Sequence, residues 1–225
     1  MTPTIDVQRS PVRVPADGVE LIGDLAVPDA ASGLVLFAHG SGSSRHSSRN
    51  KYVASELHQA GLATLLFDLL TESEEYEERF TRHLRFDIGL LSRRLVSATD
   101  WALEEPGLRG LPVGYFGAST GGAAALVAAA GKPVSVAAVV SRGGRPDLAG
   151  DALPYVEAPT LLIVGGNDEP VIEMNREALA QLRCEKQLQI IPGATHLFEE
   201  PGTLEDVARL ARDWFHRHLT RRSNH

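Results

Sequence analysis

Apolar residues fall along this chain in short unbroken runs, separated by longer stretches in which they recur at spacings of three and four. Residues 34–39 (LVLFAH), 63–68 (ATLLFD) and 136–140 (VAAVV) each read as a buried strand, covered on both faces, and 111–118 (LPVGYFGA), 160–164 (TLLIV) and 188–191 (LQII) as further apolar strands. Between them, Val53, Leu57 and Ala60 share a helix face that Gly61 is placed to stop. Ile88, Leu91, Leu95 and Ala98 mark a long helix over 84–104. An alanine-rich helix follows residue 121, closed by Gly131 and Pro133, and another covers 171–182. The last helix is expected from Thr203, with Asp206 as an approximate capping box and Leu204, Val207, Leu210 and Trp214 as its apolar stripe. Ahead of all these, 12–15 and 20–27 read as β-type runs joined by a turn at Ala16, Asp17 and Gly18. The acidic run Glu72, Glu74, Glu75, Glu77 and Glu78 reads as a solvated loop or a first helical turn. Strands alternating with helices imply parallel βαβ units, and no repeat or linker interrupts residues 1–225, so one α/β domain is expected.

Composition narrows the function classes. With 22 Lys plus Arg against 29 Asp plus Glu, the net charge of −7 and the lack of a basic stripe argue against nucleic-acid binding. Arg217, Arg221 and Arg222 suit the negative end of the last helix instead. The first ten residues contain no apolar signal segment, and no apolar run is long enough to span a bilayer, so a soluble cytoplasmic protein without membrane contact is expected. Cys184 stands alone, which removes an internal disulfide and any zinc-type cluster; no metal or cofactor is expected.

In open parallel sheets, ligands gather beyond the carboxyl ends of the strands. Here those ends lead into loops 39–49, 68–83, 117–121, 141–147, 165–170 and 192–198. Residues 117–121 spell Gly-Ala-Ser-Thr-Gly between a buried strand and a small-residue helix, the arrangement that holds a serine hydroxyl exposed at the top of a sheet. Chance would supply G-x-S-x-G in roughly one such chain in eight, so the context carries the reading. Ser119, Asp168 and His196 then each follow a strand, in the Ser…Asp…His order. Of the eight histidines, His58, His216 and His218 sit within helices, His225 on the tail, His39 and His46 in the loop after the first buried strand, and His83 in the acidic insert. Only His196 follows the last strand. Asp147 and then Asp68 are the alternatives to Asp168, and Glu169 is its neighbour.

These stretches resemble a small α/β-hydrolase of the dienelactone-hydrolase-like kind: His39-Gly-Ser-Gly42, Gly117 to Gly121, Gly166-Asn-Asp168 and Gly193-Ala-Thr-His196. The likeness covers nearly the whole chain. It extends to hydrolase domains found attached to phosphoribosyltransferases, although these residues contain no such partner domain. Dienelactone hydrolases proper carry cysteine at the elbow, whereas this chain has Ser119, which points toward a general esterase. The implied roles are Ser119 as nucleophile, His196 as general base and acid, and Asp168 as the group that orients the imidazole. The oxyanion would be met by the backbone N–H of Thr120 and that of Ser41, with Gly42 next to it.

Arg142 and Arg145 lie in a glycine-rich loop at the same edge and could hold a substrate carboxylate; pairing with Asp147 or the acidic run is the competing arrangement. Only about eighteen residues separate the strands at Val140 and Thr160, too few for a cap domain. An open site for short acyl groups is expected, gated by the insert carrying Tyr76, Phe80 and Phe86. The expected partners are a small ester substrate and, at most, a second copy of the chain in a homodimer. Thioesterase, lactonase and amidase activities use the same machinery, and a non-catalytic binding module or an acyltransferase remains the more distant alternative.

Overall fold

The structure, a computed structural model, describes residues 6–132 and 135–220. Pro133, Arg221, Arg222 and His225 therefore lie outside the described residues. Two strands, β1 (Val7–Ala16) and β2 (Val19–Pro28), form a hairpin paired over ten positions, longer than the apolar pattern indicated. Its two-residue turn needs positive φ at both positions, which Asp17 (49°) and Gly18 (81°) supply.

The remaining strands are β3 (Gly33–Ala38), β4 (Leu62–Phe67), β5 (Val113–Ala118), β6 (Val136–Arg142), β7 (Thr160–Gly165) and β8 (Lys186–Ile191). All eight join one sheet in the order β1-β2-β4-β3-β5-β6-β7-β8. The hairpin pairs antiparallel to β4 and every later pairing is parallel. This is the α/β-hydrolase arrangement. Strands β3, β4, β5 and β7 are buried at every position, as unbroken apolar runs require when helices cover both faces.

Among the described residues there are six helices, α1 (Ser48–Gln59), α2 (Glu72–Thr81), α3 (Ile88–Glu104), α4 (Thr120–Gly131), α5 (Glu169–Gln181) and α6 (Thr203–Leu219); α2 packs on the turn at 84–86 and the other five supply that cover. On one face Leu91, Leu95 and Ala98 of α3 and the alanines of α4 pack against Leu36, Leu65 and Tyr115. On the other, Val53 and Leu57 of α1 and Val207, Ala211 and Phe215 of α6 close over Val35, Phe37 and Phe116.

Two local expectations are corrected. The acidic run is a full helix, α2, because Thr71 and Glu74 close a capping box and two of its carboxylates turn inward. The box expected at Thr203 is absent: Gly202 caps α6, and the Thr203 hydroxyl instead donates to Glu200 O at 2.7 Å. Between β6 and β7 the chain makes only short 3-10 turns over Pro146–Tyr155, so no separate cap domain stands over the sheet. No helix among the described residues is long and apolar enough to cross a membrane.

Candidate active site

The parallel register lines up the carboxyl ends of the strands: Ala38 pairs with Gly117, Ala118 with Arg142, and Gly165 with Ile191. Residues that follow these ends therefore gather along one edge. Ser119 sits between β5 and α4 with φ 51° and ψ −122°, a conformation that costs a non-glycine residue about 1–3 kcal/mol. The surroundings hold it there. Its N–H donates to Arg142 O at 3.2 Å, and its carbonyl accepts from Gly122 N at 3.0 Å and from Arg145 N at 3.1 Å. The helix start lies so close to β3 that a Cβ on Gly121 would be 2.0 Å from Ala38 O. Small residues along α4 are thus a condition of bringing the helix N-terminus under the serine.

Asp168 follows β7, where its N–H donates to Gly165 O at 3.1 Å. His196 lies in the loop after β8. The two loops are stitched together by Gly166 N to Ile191 O (2.8 Å), Asn167 N to Ala194 O (2.9 Å) and the Asn167 side-chain amide to Gly193 O (2.9 Å). Asp168 Oδ2 and His196 Nδ1 meet at 2.6 Å. An ionised carboxylate only accepts, so Nδ1 carries the proton and Nε2 keeps a free lone pair, the form a general base needs. The turn 142–145 links this pair to the elbow. It binds Ser119 through Arg142 and Arg145, and a Cβ on its Gly143 would lie 3.6 Å from His196 Cε1.

The loop after β3 completes the edge. Gly40 packs against Ser119, since a Cβ there would be 3.0 Å from Ser119 Cβ. Ser41 and Thr120 do meet, but through the Ser41 N–H donating to Thr120 Oγ1 at 3.0 Å. The amide is not open to the site; the threonine hydroxyl that accepts from it still has its own proton to give. Gly42 lies near Arg85, whose Nη1 would be 3.7 Å from a Cβ there.

Several roles were invisible in the sequence. His39 is a buried strut whose Nδ1 donates to Gly40 O at 2.9 Å while Nε2 accepts from Leu69 N at 2.9 Å. Desolvation lowers its pKa, so the ring stays neutral. Asp68, the third-choice acid, is taken by Arg45, accepting from its backbone N–H at 2.8 Å and from its guanidinium. Asp147, the second choice, accepts from Arg145 Nε at 2.9 Å and Nη2 at 2.7 Å. Arg145 is therefore corrected: its fork is filled by a carboxylate two residues away and is not open to a substrate. The acidic run engages other arginines. Glu74 binds Arg94 through both oxygens, at 2.8 and 2.6 Å. Burial raises the Glu78 pKa, but the Arg85 guanidinium, the Leu84 and Arg85 amides and the Thr81 hydroxyl outweigh it and bring it to about 2. With α2 anchored this way, Tyr76, Phe80 and Phe86 remain exposed.

A model of the dienelactone hydrolase family matches residues 23–219. The chain belongs to the dienelactone hydrolase family. A solved family structure, a dienelactone hydrolase from Anabaena variabilis, is 64% identical, covers 95% of this chain and 99% of its own, and superposes with a TM-score of 0.93. Est1E from Butyrivibrio proteoclasticus shares the fold at 18% identity, covering 91% of this chain and 97% of its own, with a TM-score of 0.76. Two Mycobacterium tuberculosis proteins, provisionally named phosphoribosyl transferases, are 61% identical over 208 residues. That match takes in 92% of this chain, which spans 46% of their length.

Proposed function

We propose that this family member is a serine hydrolase that cleaves short-chain carboxylic esters through an acyl-enzyme. The observation that carries the reading is the 2.6 Å contact between Asp168 and His196, formed at the same sheet edge as a serine in the strained elbow conformation. His196 takes the Ser119 proton as the hydroxyl attacks the carbonyl, then returns it to the departing alcohol. Asp168 holds the tautomer and stabilises the imidazolium. The oxyanion is met at the start of α4, where the Thr120 N–H and the helix dipole favour negative charge. Ser41 contributes through its amide once the Thr120 hydroxyl yields, or the hydroxyl donates in its place. Thioesters, lactones and amides would enter the same chemistry.

The transferase name of the mycobacterial relatives applies to proteins more than twice as long as the shared stretch, so hydrolysis is the chemistry assigned to residues 23–219. The reading takes the chain as one catalytic domain working on a soluble small molecule in the cytoplasm. A series of p-nitrophenyl esters of increasing acyl length tests it. Native protein should turn over the short esters and Ser119→Ala should not. Absence of turnover by native protein, or full activity in the variant, defeats the reading.

A further inference from the structure

Arg142, the last residue of β6, is 7% exposed, and its Nε and Nη1 are buried without a hydrogen-bond partner. It takes part in no ion pair among the described residues, unlike Arg45, Arg85 and Arg145 along the same edge. Its guanidinium carbon stands 5.9 Å from the Phe198 ring centroid, which supplies a π face but no acceptor atom. Desolvation, with the neighbouring charge of Arg49, lowers its pKa to about 10, so it remains a cation at neutral pH. Arg49 adds to the excess. It lies in the first turn of α1, reaches the exposed Glu199 with Nη1 at 3.2 Å, and has a buried Nε with no partner. Two neighbouring guanidiniums thus have one exposed carboxylate, held by Arg49 alone, and three buried guanidinium nitrogens find no acceptor. Buried donors left unmet are costly, so a protein that keeps them here has a reason outside its own packing.

We propose that Arg142 and Arg49 form an anion subsite, and that the favoured ester carries a carboxylate or phosphoryl group on the part held beside β6. This rests on the hydrolase reading above. The location fits a substrate contact: Arg142 O accepts the Ser119 N–H, and Gly143 lies against His196. A guanidinium fork matches carboxylate and phosphate alike, and burial beside Phe198 removes competing water.

The test compares three p-nitrophenyl esters: the glutarate monoester, its neutral methyl ester, and the 4-phosphonobutyrate ester. Native protein should favour at least one charged ester over the neutral one by about tenfold or more in kcat/KM. The arm that carries the preference identifies the anion. In Arg142→Met the charged-to-neutral ratio should collapse toward one, and Arg49→Gln should lower it by less. Arg142→Lys, which keeps the charge without the fork, should give an intermediate ratio and serves if the methionine variant does not fold. A native ratio near one, or a ratio that Arg142 substitutions leave unchanged, overturns the proposal. Thermal shift of Ser119→Ala protein with glutarate and with inorganic phosphate reads binding without turnover. Stabilisation that disappears when Arg142→Met is added supports the site even if no ester is hydrolysed, which isolates failure of the hydrolase reading. Turnover without charge preference or anion-dependent stabilisation isolates failure of this one.

Discussion

Glu74 and Arg94 form a buried pair whose two halves should be far from equivalent. Arg94 is 2% exposed, and its guanidinium has three acceptor contacts: Leu69 O at 2.7 Å and the Glu74 oxygens at 2.8 and 2.6 Å. The Glu74 side chain is 23% exposed and also accepts from the Thr71 N–H at 2.7 Å and hydroxyl at 2.9 Å. Glu74→Met therefore strands a cation in an apolar setting with one carbonyl for company, at a cost of about 3–5 kcal/mol. Arg94→Met leaves a carboxylate that still has two donors and some water, so the loss should be nearer 1–2 kcal/mol. The double methionine variant should cost less than the two single changes added together, by about 2 kcal/mol, because it removes the stranded charge as well as the pair. Urea unfolding at constant m-value reads these differences, and each kcal/mol should move Tm by about 2–4 °C in a chain of this size. If Arg94→Met proves as damaging as Glu74→Met, or the double variant is additive, the desolvation argument is wrong.

Further outcomes follow from other contacts. Gly121→Ala drives a methyl into the Ala38 and His39 carbonyls and should cost at least about 3 kcal/mol despite alanine's better helix propensity; a urea midpoint near native would refute the close approach. Asp168→Asn should lower kcat by about 10⁴ with KM little changed, because the amide no longer enforces the Nδ1–H tautomer; a loss below tenfold would point to another orienting group. The two buried histidines set an acid limit. Burial lowers the pKa of His39, and burial with Arg9 nearby lowers that of His58 to about 4, so both contribute stability in full above their unfolded value near 6.5. That contribution should fade as pH drops from 6.5 toward 4, before protonation of Glu74 and Glu78 takes its own share at lower pH. His58→Gln should flatten the upper part of that decline, and an unchanged slope would refute the assignment.

The central strands were legible because burial on both faces leaves an unbroken apolar run, and the order of Ser119, Asp168 and His196 was legible because each follows a strand, although β8 before His196 is largely exposed. The model of Arg142 and Arg145 as twin anchors was not sustained. Their spacing relative to the sheet is similar, but only the contacts reveal that Arg145 has Asp147 within reach while Arg142 points under Phe198. For α2 a usable signal was present: Thr71 and Glu74 have the capping-box spacing, with Glu78 one turn on. Read as charge alone, the run looked solvated. His39 offered no such signal, since nothing in a histidine at the end of an apolar run says that both its nitrogens will be met by backbone groups. The same holds for Ser41, whose amide finds a side chain 79 positions away.

The turn after β6 has a consequence for how this enzyme family can diversify. Four residues, 142–145, clasp Ser119 at its amide and its carbonyl and brace the His196 loop, while just beyond them Leu148, Gly150, Asp151 and Tyr155 are exposed. The positions that align Ser119 and His196 and the positions free to vary therefore alternate within one short segment, tied together by the Arg145–Asp147 pair. A library randomised at the exposed positions 148, 151 and 155 with 142–145 held constant should explore substrate range while keeping the catalytic register, and one that reaches into 142–145 should lose turnover first.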